Sequence, residues 1–230
     1  MPDHPALPVG ECLSHAVTST FLQPVKVLRA FWPLVCTEAA TAFAGEGALR
    51  FALMSVSLVL AIPCACAWHR YLIEGDVPRL KVGLPEWTYT KRALLITLLI
   101  AVLTVPFAVA YAVLVEMAPK VAVAALVAGL AVPIWFTGPT MLTLAAAAIN
   151  RDTPLTAIKA LAEGNRARLF ALLFGISAAE TGLTVASDYA RAAGPAVHFA
   201  VAVIFWPLAV AVLSMAYIWL NQSANVESAP

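Results

Sequence analysis

Charge is scarce in this chain. Asp, Glu, Lys and Arg make up 12% of its 230 residues, against ~25% in an ordinary soluble domain, so it lacks the polar surface to cover itself in water. No run of Lys and Arg occurs and the net charge is +1, which argues against nucleic acid as a partner, because duplex binding shows as a strongly basic face. The four cysteines, Cys12, Cys36, Cys64 and Cys66, form no disulfide framework. There is no GxSxG elbow, no P-loop and no HExxH helix, so no catalytic residue is expected. His4, His15 and His198 are scattered, and neither a metal nor a cofactor is expected. The N-terminal "MPDHPALPVGECLSH" has no basic segment leading into an apolar one, so no cleavable signal peptide is expected.

What is present is apolar length. Residues of the AVILMFWYC group supply 62% of the chain, and they collect in six runs, at 27–44, 48–70, 93–115, 121–148, 168–187 and 196–220. Each is close to or above the ~20 residues that cross ~30 Å of hydrocarbon as a helix. The expected fold is therefore all-α, a single polytopic membrane bundle over 1–230 with six transmembrane helices. The first run is the weakest, with Arg29 at its start and Glu38 inside, and the fourth carries Pro133, Gly138 and Pro139, which predicts a tilted or broken helix.

Orientation follows from the connecting segments, because positive residues in short loops stay in the cytoplasm. Alternate ends hold Lys26, Arg29, Arg70, Arg79, Lys81, Lys91, Arg92, Arg151, Lys159, Arg166 and Arg168 on one side and Arg50, Lys120 and Arg191 on the other. That bias puts both termini in the cytoplasm, with the plasma membrane as the expected location.

The stretch "AIPCACAWHRYLIEGDVPR" gathers two cysteines, a histidine and an arginine after an apolar run. At the cytoplasmic end of a span, Trp68 and Tyr71 suit the headgroup layer while His69 and Arg70 reach water; Trp219 is placed at the same interface. The alternative is a thiol or metal site from Cys64, Cys66 and His69, but cysteines two apart on a helix face different sides.

Two shorter segments are amphipathic and are expected to lie flat on the membrane. In "TPLTAIKALAEGNRARLF", Thr153 is a plausible N-cap and Pro154 the first helical residue. Leu155, Ile158, Leu161 and Ala162 make one stripe, Lys159 and Glu163 the other side, and Gly164 with Asn165 the stop. Near the N-terminus, Leu13, Val17 and Phe21 form a similar stripe ended by Pro24. A shift of 142 positions sets Leu13 on Leu155, Lys26 on Arg168, Trp32 on Phe174 and Glu38 on Glu180, which suggests a weak parallel repeat of about 9–72 and 152–220.

The segment "INRDTPLTAIKALAEGNRARLFALL" resembles one found in bacterial integral membrane proteins that include relatives of the membrane domain of glycerophosphoryl diester phosphodiesterases. There an "xAxxLxxGNxxRL" helix leads into a span, and Leu161, Gly164, Asn165, Arg168 and Leu169 occupy those places here, with Ala157 one position ahead of the motif's alanine. "AWHRYLIEGDVPR" is similar to a second such element. The resemblance implies a bacterial helical membrane domain. The phosphodiesterase activity of the longer relatives belongs to a separate soluble barrel that this chain does not contain, so no catalytic residue carries over.

Two functions fit these observations. One is a noncatalytic scaffold, accessory subunit or lipid-associated module whose partners are the bilayer, other membrane proteins or further copies of itself; the abundance of small residues favours such close helix packing. The other is a small transporter or channel whose path is lined by Glu38, Glu180, Thr137 and Thr140, with Arg50 and Arg191 as outer partners of the glutamates. Counting ~1.5 Å per residue from Arg29 and Arg168, Glu38 lies about 14 Å and Glu180 about 18 Å along its helix, near the middle of the hydrocarbon core. An ionised carboxylate there must be paired or hydrated.

Overall fold

The computed structural model describes residues 6–44, 47–151, 153–189 and 194–227. Among them the chain forms eight helices and no strand: α1 (Val9–Phe21), α2 (Pro24–Phe43), α3 (Ala48–Glu74), α4 (Leu84–Leu114), α5 (Pro119–Ala148), α6 (Leu155–Leu161), α7 (Arg166–Tyr189) and α8 (Gly194–Glu227). Five of these, α3, α4, α5, α7 and α8, are long and apolar enough to cross a membrane. The expected sixth, α2, forms at the expected place and spans 20 residues, but Lys26, Arg29 and Glu38 set it apart from those five.

α4 and α5 form the most extensive helix pair, a hairpin that leaves most of α4 exposed, while α3 packs on α2 and α8. α4 begins well before its apolar run, at Leu84, with Pro85 in the first turn where its missing N–H costs no hydrogen bond. α3 stops at Gly75, whose φ of 76° is the left-handed conformation that glycine adopts without penalty. α5 ends in a Schellman turn, with Asn150 at φ 57°, its N–H on the Ala147 carbonyl and the Arg151 N–H on that of Ala146, both at 3.0 Å.

The expected break in α5 does not occur. The helix runs unbroken through Pro133 and Pro139. Each proline frees the carbonyl four residues earlier, and both freed carbonyls find donors on other helices. The Thr104 hydroxyl of α4 lies 3.5 Å from the Gly129 carbonyl, a long contact. Arg166 of α7 donates from Nε and Nη2 to the Trp135 carbonyl at 3.3 and 3.1 Å, its guanidinium 5.0 Å above the Trp135 ring. Gly129 also permits the close α4–α5 approach: a Cβ there would stand 2.9 Å from the Phe107 Cβ.

Both amphipathic segments are helical. In and just after α6, Ile158 and Ala162 are buried and Lys159 and Glu163 exposed, but of the rest of the expected stripe Leu161 is only half-buried and Leu155 is exposed. The helix starts one residue later than expected: Pro154 is its N-cap and no side chain caps it, while the Thr153 carbonyl faces the Arg92 guanidinium at 3.3 Å. Gly164, at φ 78°, ends the segment. α1 packs on α8 and α7 through Cys12, Ala16 and Thr20, leaving Leu13, Val17 and Phe21 exposed; small side chains let the helices approach, and the larger ones point away. The Leu7 N–H donates to the Asn165 side-chain oxygen at 2.6 Å, tying this segment to the α6–α7 turn. Burial first, and then the Glu11 charge, push the Cys12 thiol above its usual range, so this contact stays neutral.

The buried positions recur at nearly constant offset. Ala30, Phe31 and Leu34 of α2 lie 142 positions before Leu172, Leu173 and Ile176 of α7, all buried. In α3 and α8, Pro63 precedes Pro207 by 144 positions, followed in both by small or apolar buried residues, Cys64 and Ala67 against Leu208 and Ala211. Two core clusters result, one around α2, α3 and α4, the other around α7, α8 and α6, with α5 and α8 contributing to both.

Candidate functional site

Every position from Cys64 to Arg70 is buried. A helix apolar or paired on all sides must be enclosed on all sides, and here α2, α4 and α8 enclose it. Trp68 is fully buried; the Phe31 ring meets it edge-on at 6.3 Å and Tyr71 stacks on it at 5.1 Å. The Tyr71 hydroxyl accepts from Lys26 Nζ at 2.6 Å and donates to the Gln23 side-chain oxygen, which fastens α3 to the start of α2. Arg70 donates from Nη1 to Glu86 Oε1 at 2.6 Å, the two side chains only 11% and 7% exposed. Its Nη2 faces the Arg79 carbonyl at 3.4 Å, so the α3–α4 connection folds over the pair.

His69 Nδ1 lies 2.7 Å from Ser214 Oγ. The Ser214 hydroxyl spends its proton on the Val210 carbonyl at 2.9 Å, so in the neutral ring Nδ1 is the donor and Nε2 carries the lone pair. That Nε2 has no hydrogen-bond partner, nor does Trp68 Nε1. The Tyr89 ring packs beside the imidazole at 5.9 Å.

These positions correct the interfacial reading of the segment. Trp68, His69 and Arg70 turn into the bundle rather than toward headgroups and water; Tyr71 is half-buried against Lys26. Trp219 is half-buried against the α7–α8 core. The physical reason is that partners distant in sequence, Glu86 and Ser214, take up the Arg70 charge and His69 Nδ1, and the apolar bulk of the Trp68 ring outweighs the two nitrogens left without a bond. Nothing local announces either partner. Among the described residues no three His, Cys, Asp or Glu side chains are grouped as metal ligands.

The second expected set is dispersed. Glu38 borders a small crevice between α2 and α8, beside Leu34, Val203 and Pro207. Glu180 is half-buried on α7, which packs chiefly on α8 and α5. Thr137 is buried with its hydroxyl on the Pro133 carbonyl at 2.8 Å, and the Thr140 carbonyl accepts from Thr143 at 2.7 Å. Arg50 is exposed in the first turn of α3, and Arg191 lies outside the described residues. A larger groove of about 500 Å³ runs between α4, α5 and α7, lined by Thr104, Phe107, Tyr111, Gly129, Phe174 and Gly182 among others, with no charged side chain. It shares no lining residue with the Glu38 crevice, and Glu180 lines neither.

Among the described residues the fold is all-helical, with five helices long and apolar enough to cross a membrane, and the site joins α3 to α4 and α8 through buried polar groups. No protein-family model, curated protein or solved structure matches the chain.

Proposed function

We propose that the chain is a noncatalytic integral membrane module, a scaffold or accessory component that accompanies other membrane proteins or lipids. One observation carries this reading: several buried or half-buried polar side chains join one helix to another. Arg70 is paired with Glu86, Arg92 with the Thr143 carbonyl at 3.0 Å, and His69 with Ser214. In this reading α2 completes a set of six spans in a bacterial plasma membrane, α1 and α6 lie on the cytoplasmic face, and α1–α3 and α6–α8 are parallel repeats flanking the α4–α5 hairpin.

The charge bias of the connections makes the orientation testable. A cysteine placed near Gly45 or Gly194, in a cysteine-free background, is expected to react with a membrane-impermeant maleimide added to intact cells, and one near Gly83 or Gly164 is not. The reverse pattern removes the assignment.

The Glu38 crevice gives the transporter reading its one specific support, because Pro207 frees the Val203 carbonyl beside that carboxyl. Purification in mild detergent is expected to recover a stable protein partner or bound lipid. Glu38→Gln with Glu180→Gln is expected to change thermal stability while leaving ion and solute flux in proteoliposomes at the wild-type level. Unchanged stability with abolished flux replaces the proposal by the transporter.

A further inference from the structure

The α4–α5–α7 groove is placed and shaped for a ligand that the bilayer itself supplies. Its lining runs from Phe174 to Val185 on α7, a length of about 16 Å at ~1.5 Å per residue, which is one leaflet of a ~30 Å hydrocarbon core. Its volume of about 500 Å³ falls within the ~300–1,000 Å³ of small-molecule sites. On α4 the lining extends to Tyr111 and on α5 to Ala125, so the groove ends toward the α4–α5 turn. At that end stand two exposed residues of opposite charge, Glu116 in the turn and Lys120 in the first turn of α5. Lys120 is about 7.5 Å along the helix from Ala125.

We infer that this groove holds one acyl chain of a zwitterionic phospholipid, with the headgroup phosphate beside Lys120 and its ammonium beside Glu116. The inference rests on the membrane-module reading, in which α4, α5 and α7 all cross the bilayer. An apolar groove facing hydrocarbon is filled by chains already there, and the two exposed residues of opposite charge beyond its end suit a headgroup that carries both signs. The groove is open beside Gly182, where a Cβ would meet nothing within 4 Å, so a large side chain at that position would fill it.

The full chain, reconstituted in vesicles of phosphatidylethanolamine and phosphatidylglycerol with a photoactivatable diazirine on the phosphatidylethanolamine acyl chain, tests this directly. Labelling is expected to concentrate on peptides carrying residues 104–111, 125–130 and 174–185, and to fall several-fold in Gly182→Trp. Val102→Trp, on an exposed face of α4 outside the groove, is expected to leave it unchanged. Glu116→Gln with Lys120→Gln is expected to let a phosphatidylglycerol probe label the groove as well as phosphatidylethanolamine does. Labelling spread evenly over exposed α4, or groove labelling by either probe equally in the wild type, overturns the inference. If Gly182→Trp does not fold, the wild-type peptide map decides alone. Even labelling with a partner still co-purifying overturns the lipid site and spares the functional reading; groove labelling together with solute flux does the opposite.

Discussion

Arg70→Ala is expected to destabilise the folded bundle by about 3–5 kcal/mol, the cost of leaving one member of a buried ion pair without the other. Arg70 and Glu86 meet at 2.6 Å with side chains 11% and 7% exposed. Removing the guanidinium strands the Glu86 carboxylate in a site largely closed to water and releases the Arg79 carbonyl of the covering connection. Glu86→Ala is expected to cost a similar amount. Replacing the pair by Arg70→Met and Glu86→Leu is expected to cost much less than the sum of the single changes, because well-packed apolar residues of similar volume need no compensation. A double-mutant cycle on thermal unfolding in detergent measures the difference. Single changes costing under ~1 kcal/mol would place the pair among exposed salt bridges and refute the enclosed site.

Trp68 gives the second large effect. Trp68→Ala is expected to cost about 3–5 kcal/mol through the cavity left between Phe31 and Tyr71. Trp68→Phe is expected to cost under ~1.5 kcal/mol, since the indole N–H has no partner to lose. Trp87, 56% exposed, provides the comparison: its change to Ala is expected to stay within about 0.5 kcal/mol. Equal losses at Trp68 and Trp87 would return Trp68 to the membrane interface.

These two residues mark where sequence reasoning stops. Apolar runs located the long helices and their order, since hydrocarbon thickness sets a length that composition alone reveals. The Gly164 stop and the Ile158 face of α6 were equally readable, because both depend on neighbours three or four residues away. The enclosure of Trp68, His69 and Arg70 was not. Aromatic and basic residues at the end of a span have the same local pattern whether they face headgroups or other helices, and what decides is Glu86, 16 residues on, and Ser214, 145 residues on. The prolines of α5 misled for a similar reason: their freed carbonyls signal a break unless a distant Thr104 or Arg166 takes them. Of the expected polar path, burial of Thr137 is clear in the structure, but its hydroxyl is turned onto its own helix.

The bond between His69 and Ser214 sets an order in time. Arg70 can meet Glu86 within a few seconds of its synthesis, but at roughly 5–20 residues per second the ribosome reaches Ser214 about 7–30 s after His69. Until then the imidazole Nδ1–H must be satisfied by water or by a temporary neighbour at the membrane, because α8, which supplies its native partner, has not been made. The half-built protein is therefore a distinct species with one open flank on α3. That flank closes only once α8, the last helix in the chain, has been made, so the histidine's native bond is among the latest to form.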